Sequence, residues 1–129
     1  MIKGIHILLT YTCTFQCDHC FLYSSPRSVG VFDVASLERL IDQATAVATV
    51  ETICFEGGEP LLYLPQLLAG IRYAKKCGFK TGIVTNAYVA RSLEDARLLL
   101  SMFEDAGLDS IAVSDDRLHF GDLQETPAK

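Results

Sequence analysis

The sequence predicts an α/β protein built on a parallel sheet, and three observations carry the prediction. Four short aliphatic and β-branched runs alternate with three stretches whose apolar residues recur at helical spacing. Residue types unusual for either element fall directly after each of the four runs. The 129 residues are half hydrophobic and 21% charged, which suits one small packed domain and argues against disorder. A βαβαβαβ order implies parallel strands joined by right-handed crossovers. In such sheets ligands gather at the C-terminal ends of the strands.

The elements follow in order. Gly4 to Thr10 is a buried strand leading into a cysteine-rich stretch, and Tyr23 to Ser28 is turn chemistry. A first helix from about Ser36 carries Leu37, Leu40, Ile41, Ala44, Val47 and Ala48 on one face, with Ser36 or Asp33 as its cap. Glu51 to Glu56 is the second strand and stops at Gly57-Gly58-Glu59-Pro60. The second helix starts near Pro65, keeps Leu64, Leu67, Leu68 and Ile71 in phase, and ends through Lys75 and Lys76 at Gly78. Phe79 to Val84 is the third strand, followed by Thr85-Asn86. Ser92 to Asp95 reads as a capping box for a third helix with Ala96, Leu99, Leu100 and Phe103 in its stripe and Gly107 at its end. Ser110 to Ser114 is the fourth strand and runs into Asp115.

Cys13, Cys17 and Cys20 are separated by three and then two intervening residues, a clustering that packing does not require. Thiolates are soft ligands that select zinc, copper(I) or iron–sulfur clusters. A closed zinc site wants four protein ligands, and a cubane cluster held by three cysteines keeps one iron open. The residues favour an iron–sulfur cluster, with zinc and plain free thiols as the alternatives. His19 directly precedes Cys20, so the two reach one metal only with strain. Cys54 and Cys77 read as small buried hydrophobes, and His6 has no assigned role.

Other classes find no support. The net charge is −5 without any Lys/Arg cluster, so no nucleic-acid footprint is present. Apolar runs fall far short of the roughly 18 to 20 residues of a membrane span. The N-terminal residues do not form a signal peptide, and clustered thiols fit the reducing cytoplasm.

Together, the cysteine spacing and Gly57-Gly58-Glu59-Pro60 after the second strand resemble the N-terminal part of the radical S-adenosylmethionine (radical SAM) superfamily. The resemblance covers nearly the whole chain, as the first four strands of a partial (β/α)6, TIM-like barrel. It implies that Cys13, Cys17 and Cys20 hold a [4Fe–4S] cluster whose open iron is chelated by S-adenosylmethionine. It implies, further, an external one-electron reductant, flavodoxin- or ferredoxin-like. The cofactor is then cleaved to a 5′-deoxyadenosyl radical that abstracts hydrogen from a small-molecule or peptide substrate, which the sequence does not identify. His19 is expected near the adenine. Gly57 and Gly58 would let the backbone approach the methionine amine, with Glu59 as a nearby acceptor and Pro60 completing the motif. Thr85-Asn86 resembles the family's polar pair, the alternative being an Asn in a left-handed turn. Ser114 is a candidate for the ribose or methionine carboxylate. Asp115, with Asp116 and His119, is the catalytic candidate, to bind substrate or relay protons; a solvated loop is the alternative.

Residues 1–129 are expected to form one radical SAM core domain truncated after the fourth strand: a fragment, a natural truncation or a piece of an assembly. An uncovered fourth strand wants a partner. Self-association is therefore expected, and a clean monomer by light scattering at high concentration would refute it. Two classes remain: an enzyme, or a non-catalytic iron–sulfur (less readily zinc) module needing a partner.

Overall fold

A computed structural model describes residues 2–10 and 30–114. Its elements run β1 (Gly4–Thr10), α1 (Val34–Thr45), β2 (Thr52–Gly57), α2 (Leu64–Lys76), β3 (Lys80–Thr85), α3 (Leu93–Ala106) and β4 (Ser110–Val113). A 3₁₀ turn at Pro60–Tyr63, which the sequence reading lacked, joins β2 to α2. All neighbouring strands pair in parallel, and their order follows the chain, β1-β2-β3-β4. A strand order without reversal, combined with crossovers of one hand, puts the helices on one face of the sheet. Consistent with this, α1 packs on α2 and α2 on α3.

The two-residue period of a strand then sorts the side chains. Ile7, Leu9, Ile53, Phe55 and Ile83 belong to the core and are at most 2% exposed. They meet Leu37 and Ile41 of α1, Leu67 and Ile71 of α2, and Leu99 and Phe103 of α3. Helix α2 crosses close above Phe55 at Gly70, where a Cβ would stand 2.8 Å from the ring. His6, Cys54 and Glu56 alternate with the core residues and face the other way.

The caps are those the sequence allows. Asp33 Oδ1 accepts from Ser36 N at 2.7 Å, so Asp33 rather than Ser36 caps α1. Ser92 Oγ accepts from Asp95 N at 3.1 Å, and Gly107 ends α3 at φ 92°. Two helical stripes differ from expectation. Helix α1 stops at Thr45, leaving Val47 40% exposed. The β-branched residues Thr45, Val47, Thr49 and Val50 resist helix, and the chain turns so that Val50 enters the core. In α3 the stripe continues through Ala106, whereas Leu100 is 50% exposed, one residue and about 100° round from buried Leu99. Beyond β3, the outer edge of β4 pairs with nothing among the described residues.

Asp109 ties three elements together. Its carboxylate accepts from Lys75 Nζ at 2.9 and 2.7 Å and from Thr81 N at 2.8 Å. The Lys75 ammonium and then the Thr81 amide hold the Asp109 carboxyl below its ordinary range. The Ser36 amide does the same to Asp33. A folded-state pKa below the unfolded one gives stability that is present above the unfolded value, about 3.9, and lost as pH falls through the folded one. Unfolding by denaturant at pH 7 and pH 3 is therefore expected to show a smaller acid loss in Asp109→Asn than in the parent. The effect is small, because the Lys75 and Asp109 side chains are 43% and 39% exposed.

Candidate functional site at the strand ends

Residues 11–29, carrying Cys13, Cys17, His19 and Cys20, lie outside the described residues, as do Asp115, Asp116 and His119. The two flanks of the cysteine segment are described, and they meet. Thr10 forms an antiparallel bridge with Val31. Leu9 O accepts from Phe32 N at 3.0 Å, and the Thr10 hydroxyl donates to Gly30 O. The two described flanks thus meet at one point, the C-terminal end of β1.

That point rests on the two glycines at the end of β2. Gly57 has φ +124°, and a Cβ there would come 2.6 Å from Thr10 O and 3.1 Å from Leu9 N. Gly58 N donates to the same Thr10 carbonyl at 2.6 Å. The β1–β2 register shifts at this place, between Leu8 and Thr10, so two backbones come closer than any side chain permits.

Glu59 carries the link onward to β3. Its side chain is buried, 1% exposed. Oε2 accepts from Leu61 N at 2.8 Å and from the Thr85 hydroxyl at 2.7 Å, while Oε1 accepts from Asn86 N at 2.7 Å. A buried carboxylate needs such donors, because an unsatisfied one would lose hydration without compensation. Pro60 is buried and opens the 3₁₀ turn that Glu59 caps. The Thr85 oxygen also accepts from Ala87 N at 3.0 Å, and Asn86 Oδ1 accepts from Tyr88 N at 3.0 Å. The left-handed residue of this turn is Ala87, at φ 54°, not Asn86. Burial, and then the nearby Glu59, push the Tyr88 phenol up. Half-buried Ser114 donates its amide to Thr85 O at 2.9 Å.

Gly57, Gly58, Glu59, Pro60, Thr85, Asn86 and Ser114 are thus joined at the C-terminal ends of β2, β3 and β4, with Thr10 of β1 as their neighbour. Sequence reasoning missed Thr10, whose only signal was a polar residue closing an aliphatic run. It also missed a group further down the sheet. His6 is the register partner of Cys54, and Glu56 lies two residues along β2. His6 Nδ1 is 3.1 Å from Glu56 Oε2. Cys54 and Cys77, expected to be buried, are both half-buried thiols. For Cys54 the cause is its place on the sheet face turned away from the helices. Its partial burial, and then Glu56, push that thiol up.

No helix among the described residues is long and apolar enough to cross a membrane. A family model described as the Radical SAM superfamily matches residues 7–116. The chain is similar to the tungsten-containing aldehyde ferredoxin oxidoreductase cofactor-modifying protein of Pyrococcus furiosus, at 29% identity over 118 residues, 91% of this chain and 32% of that protein. It is similar to an S-adenosylmethionine-dependent nucleotide dehydratase of Selenomonas ruminantium, at 29% identity over 86 residues, 67% of this chain and 30% of that protein. Among solved structures it shares its fold with SuiB of Streptococcus suis, crystallised with S-adenosylmethionine. The TM-score is 0.58 at 19% identity, covering 91% of this chain and 36% of that one. The chain spans about a third of the length of each of these proteins.

Proposed function

The chain belongs to the radical SAM superfamily, and on that premise we propose that it binds a [4Fe–4S] cluster and S-adenosylmethionine as a radical SAM enzyme or its cofactor-binding part. The supporting observation is the clasp at Thr10. Gly30 to Phe32, after the three-cysteine segment, are bonded to Leu9 and Thr10 before it, Thr10 in turn meets Gly57-Gly58, and Glu59 couples those glycines to Thr85 and Asn86.

The residues fit these groups on two grounds. Cys13, Cys17 and Cys20 are a soft donor set one short of a closed cluster. The residues flanking the segment that carries them meet beside the backbone at the ends of β1 and β2. When bound, the pair supplies a 5′-deoxyadenosyl radical through one-electron cleavage of the sulfonium. The protein's own part is positional. Cys13, Cys17 and Cys20 hold the cluster, and His19 packs beside the adenine. Glu59, by fixing the Gly57–Pro60 backbone and adding its charge, orients the methionine ammonium. Asn86 and Ser114 supply polar groups at the next strand ends, and Asp115, next in the chain, is the candidate to bind substrate or relay protons. The electron comes from a flavodoxin- or ferredoxin-like partner in a reducing cytoplasm, and the substrate is a small molecule or peptide.

Anaerobic reconstitution with iron and sulfide, followed by reductant and S-adenosylmethionine, is the test. Formation of 5′-deoxyadenosine is expected. A bound cluster without cleavage would leave only a binding module, and stoichiometric zinc in its place would overturn the cluster. Cys17→Ala is expected to abolish iron loading while Cys54→Ala retains it. Full iron in both variants would overturn the ligand assignment.

A further inference from the structure

His6, Cys54 and Glu56 offer an imidazole nitrogen, a thiol sulfur and a carboxylate oxygen that all lie within 4.8 Å of one another. We propose that these three side chains form a second metal site, for a zinc-class divalent ion, on the sheet face turned away from the helices. Around a tetrahedral zinc at roughly 2.0–2.3 Å from its ligands, donor atoms stand roughly 3.3–3.6 Å apart. His6 Nδ1 and Glu56 Oε2, at 3.1 Å, are already close to that spacing. The thiol sulfur lies within 4.8 Å of both and has to close on them to complete the set.

The backbone makes this arrangement more than a surface accident. His6 and Cys54 are direct partners on adjacent strands, and Glu56 follows Cys54 by the two residues that return a side chain to the same face. Their chain neighbours Ile7, Ile53 and Phe55 are at most 2% exposed and lock both strands against the helices. On the far side of Cys54 its register partner is Gly82. The place a Cβ would take there is filled by the Ser110 hydroxyl, 2.7 Å from it, and lies 3.9 Å from Cys54 Sγ, so this side of the thiol is lined by a small polar group. His6 is 62% exposed and Glu56 24%, which gives an ion access from solvent.

The donor chemistry selects the ion. Calcium and magnesium demand oxygen ligands in greater number. One soft sulfur with one imidazole and one carboxylate suits zinc, with cobalt, nickel and copper as competitors. Three protein ligands leave the fourth position for water or an incoming group, the pattern of an open rather than a structural site. The site shares no residue with Cys13, Cys17 and Cys20, so it stands or falls apart from the cluster.

The test uses the full chain with Cys13, Cys17 and Cys20 changed to serine, titrated with zinc alone after circular dichroism has verified its helices. One zinc per chain is expected. Zinc-edge absorption spectroscopy should show one sulfur at about 2.3 Å and light atoms at about 2.0–2.1 Å. Cys54→Ser should remove the sulfur shell. His6→Ala, at an exposed position that folding tolerates, should weaken binding at least tenfold, whereas Cys77→Ser should leave it unchanged. Zinc lost on desalting, or a sulfur shell that survives Cys54→Ser, overturns the proposal. If the triple variant does not fold, zinc titration of the wild-type chain decides by difference: His6→Ala and Cys54→Ser should each lower the bound zinc by one per chain, and an unchanged zinc count in either overturns the proposal. A site whose zinc affinity is unmoved by His6→Ala is then not this one.

Discussion

Glu59→Ala is expected to lower stability by about 2–5 kcal/mol, at about 1–3 kcal/mol for each buried donor left without an acceptor. The carboxylate is 1% exposed and takes hydrogen bonds from Leu61 N, Asn86 N and the Thr85 hydroxyl. Truncation leaves two buried amides without this acceptor and opens a space beneath the ends of β2 and β3. Glu59→Gln separates charge from shape. If its amide oxygen keeps Leu61 N and Thr85, the amide nitrogen must face Asn86 N–H, donor against donor. That mismatch is expected to cost about 1–3 kcal/mol. Urea unfolding at constant m-value reads both losses. A Glu59→Ala loss under about 1 kcal/mol would mean that the carboxylate is not the tie between the two strand ends. In the reconstituted protein, S-adenosylmethionine binding should fall in Glu59→Gln even where the fold persists.

The second large effect is expected at Gly57. Gly57→Ala combines a left-handed φ of +124° with a Cβ placed 2.6 Å from Thr10 O, and backbone cannot swing aside as a flexible side chain can. A loss of about 2–4 kcal/mol is expected, the φ strain supplying about 1–2 of it. Gly78→Ala is the control. It too has positive φ, +92°, but nothing lies within 4 Å of its added Cβ, so only the conformational part remains. A larger loss at Gly78 than at Gly57 would refute the steric reading. Because Gly58 N and the Gly57 crowding both converge on Thr10, Gly57→Ala should also loosen the cysteine segment's flanks. Faster hydrogen exchange at the Phe32 amide, which is bonded to Leu9 O, would report it.

Much of this was legible in the sequence, because it depended on contiguous residues. The bounds of β1 at Gly4 and Thr10 were readable from an aliphatic run closed by polar residues. Asp33, Ser92 and Gly107 announced the helix ends through their residue types, since capping is satisfied within one turn. The alternation of strands and helices, and the placing of Gly57 to Pro60, Thr85, Asn86 and Ser114 at strand ends, followed from the same local patterns. Stripes failed where burial was decided from outside the helix, as at Leu100 and Val47.

The spacing of Cys13, Cys17 and Cys20 and the Gly-Gly-Glu-Pro turn were fixed by chain order alone, and with them the family. Packing decided what those glycines and that glutamate touch. Gly57 is pressed by Thr10, 47 positions earlier in the chain, and Glu59 reaches Thr85, 26 positions on. The pairing of His6 with Cys54 likewise exists only once β1 and β2 align in register. Periodicity is a property of neighbours along a chain. Register is set by which faces three helices cover, and no local pattern carries that.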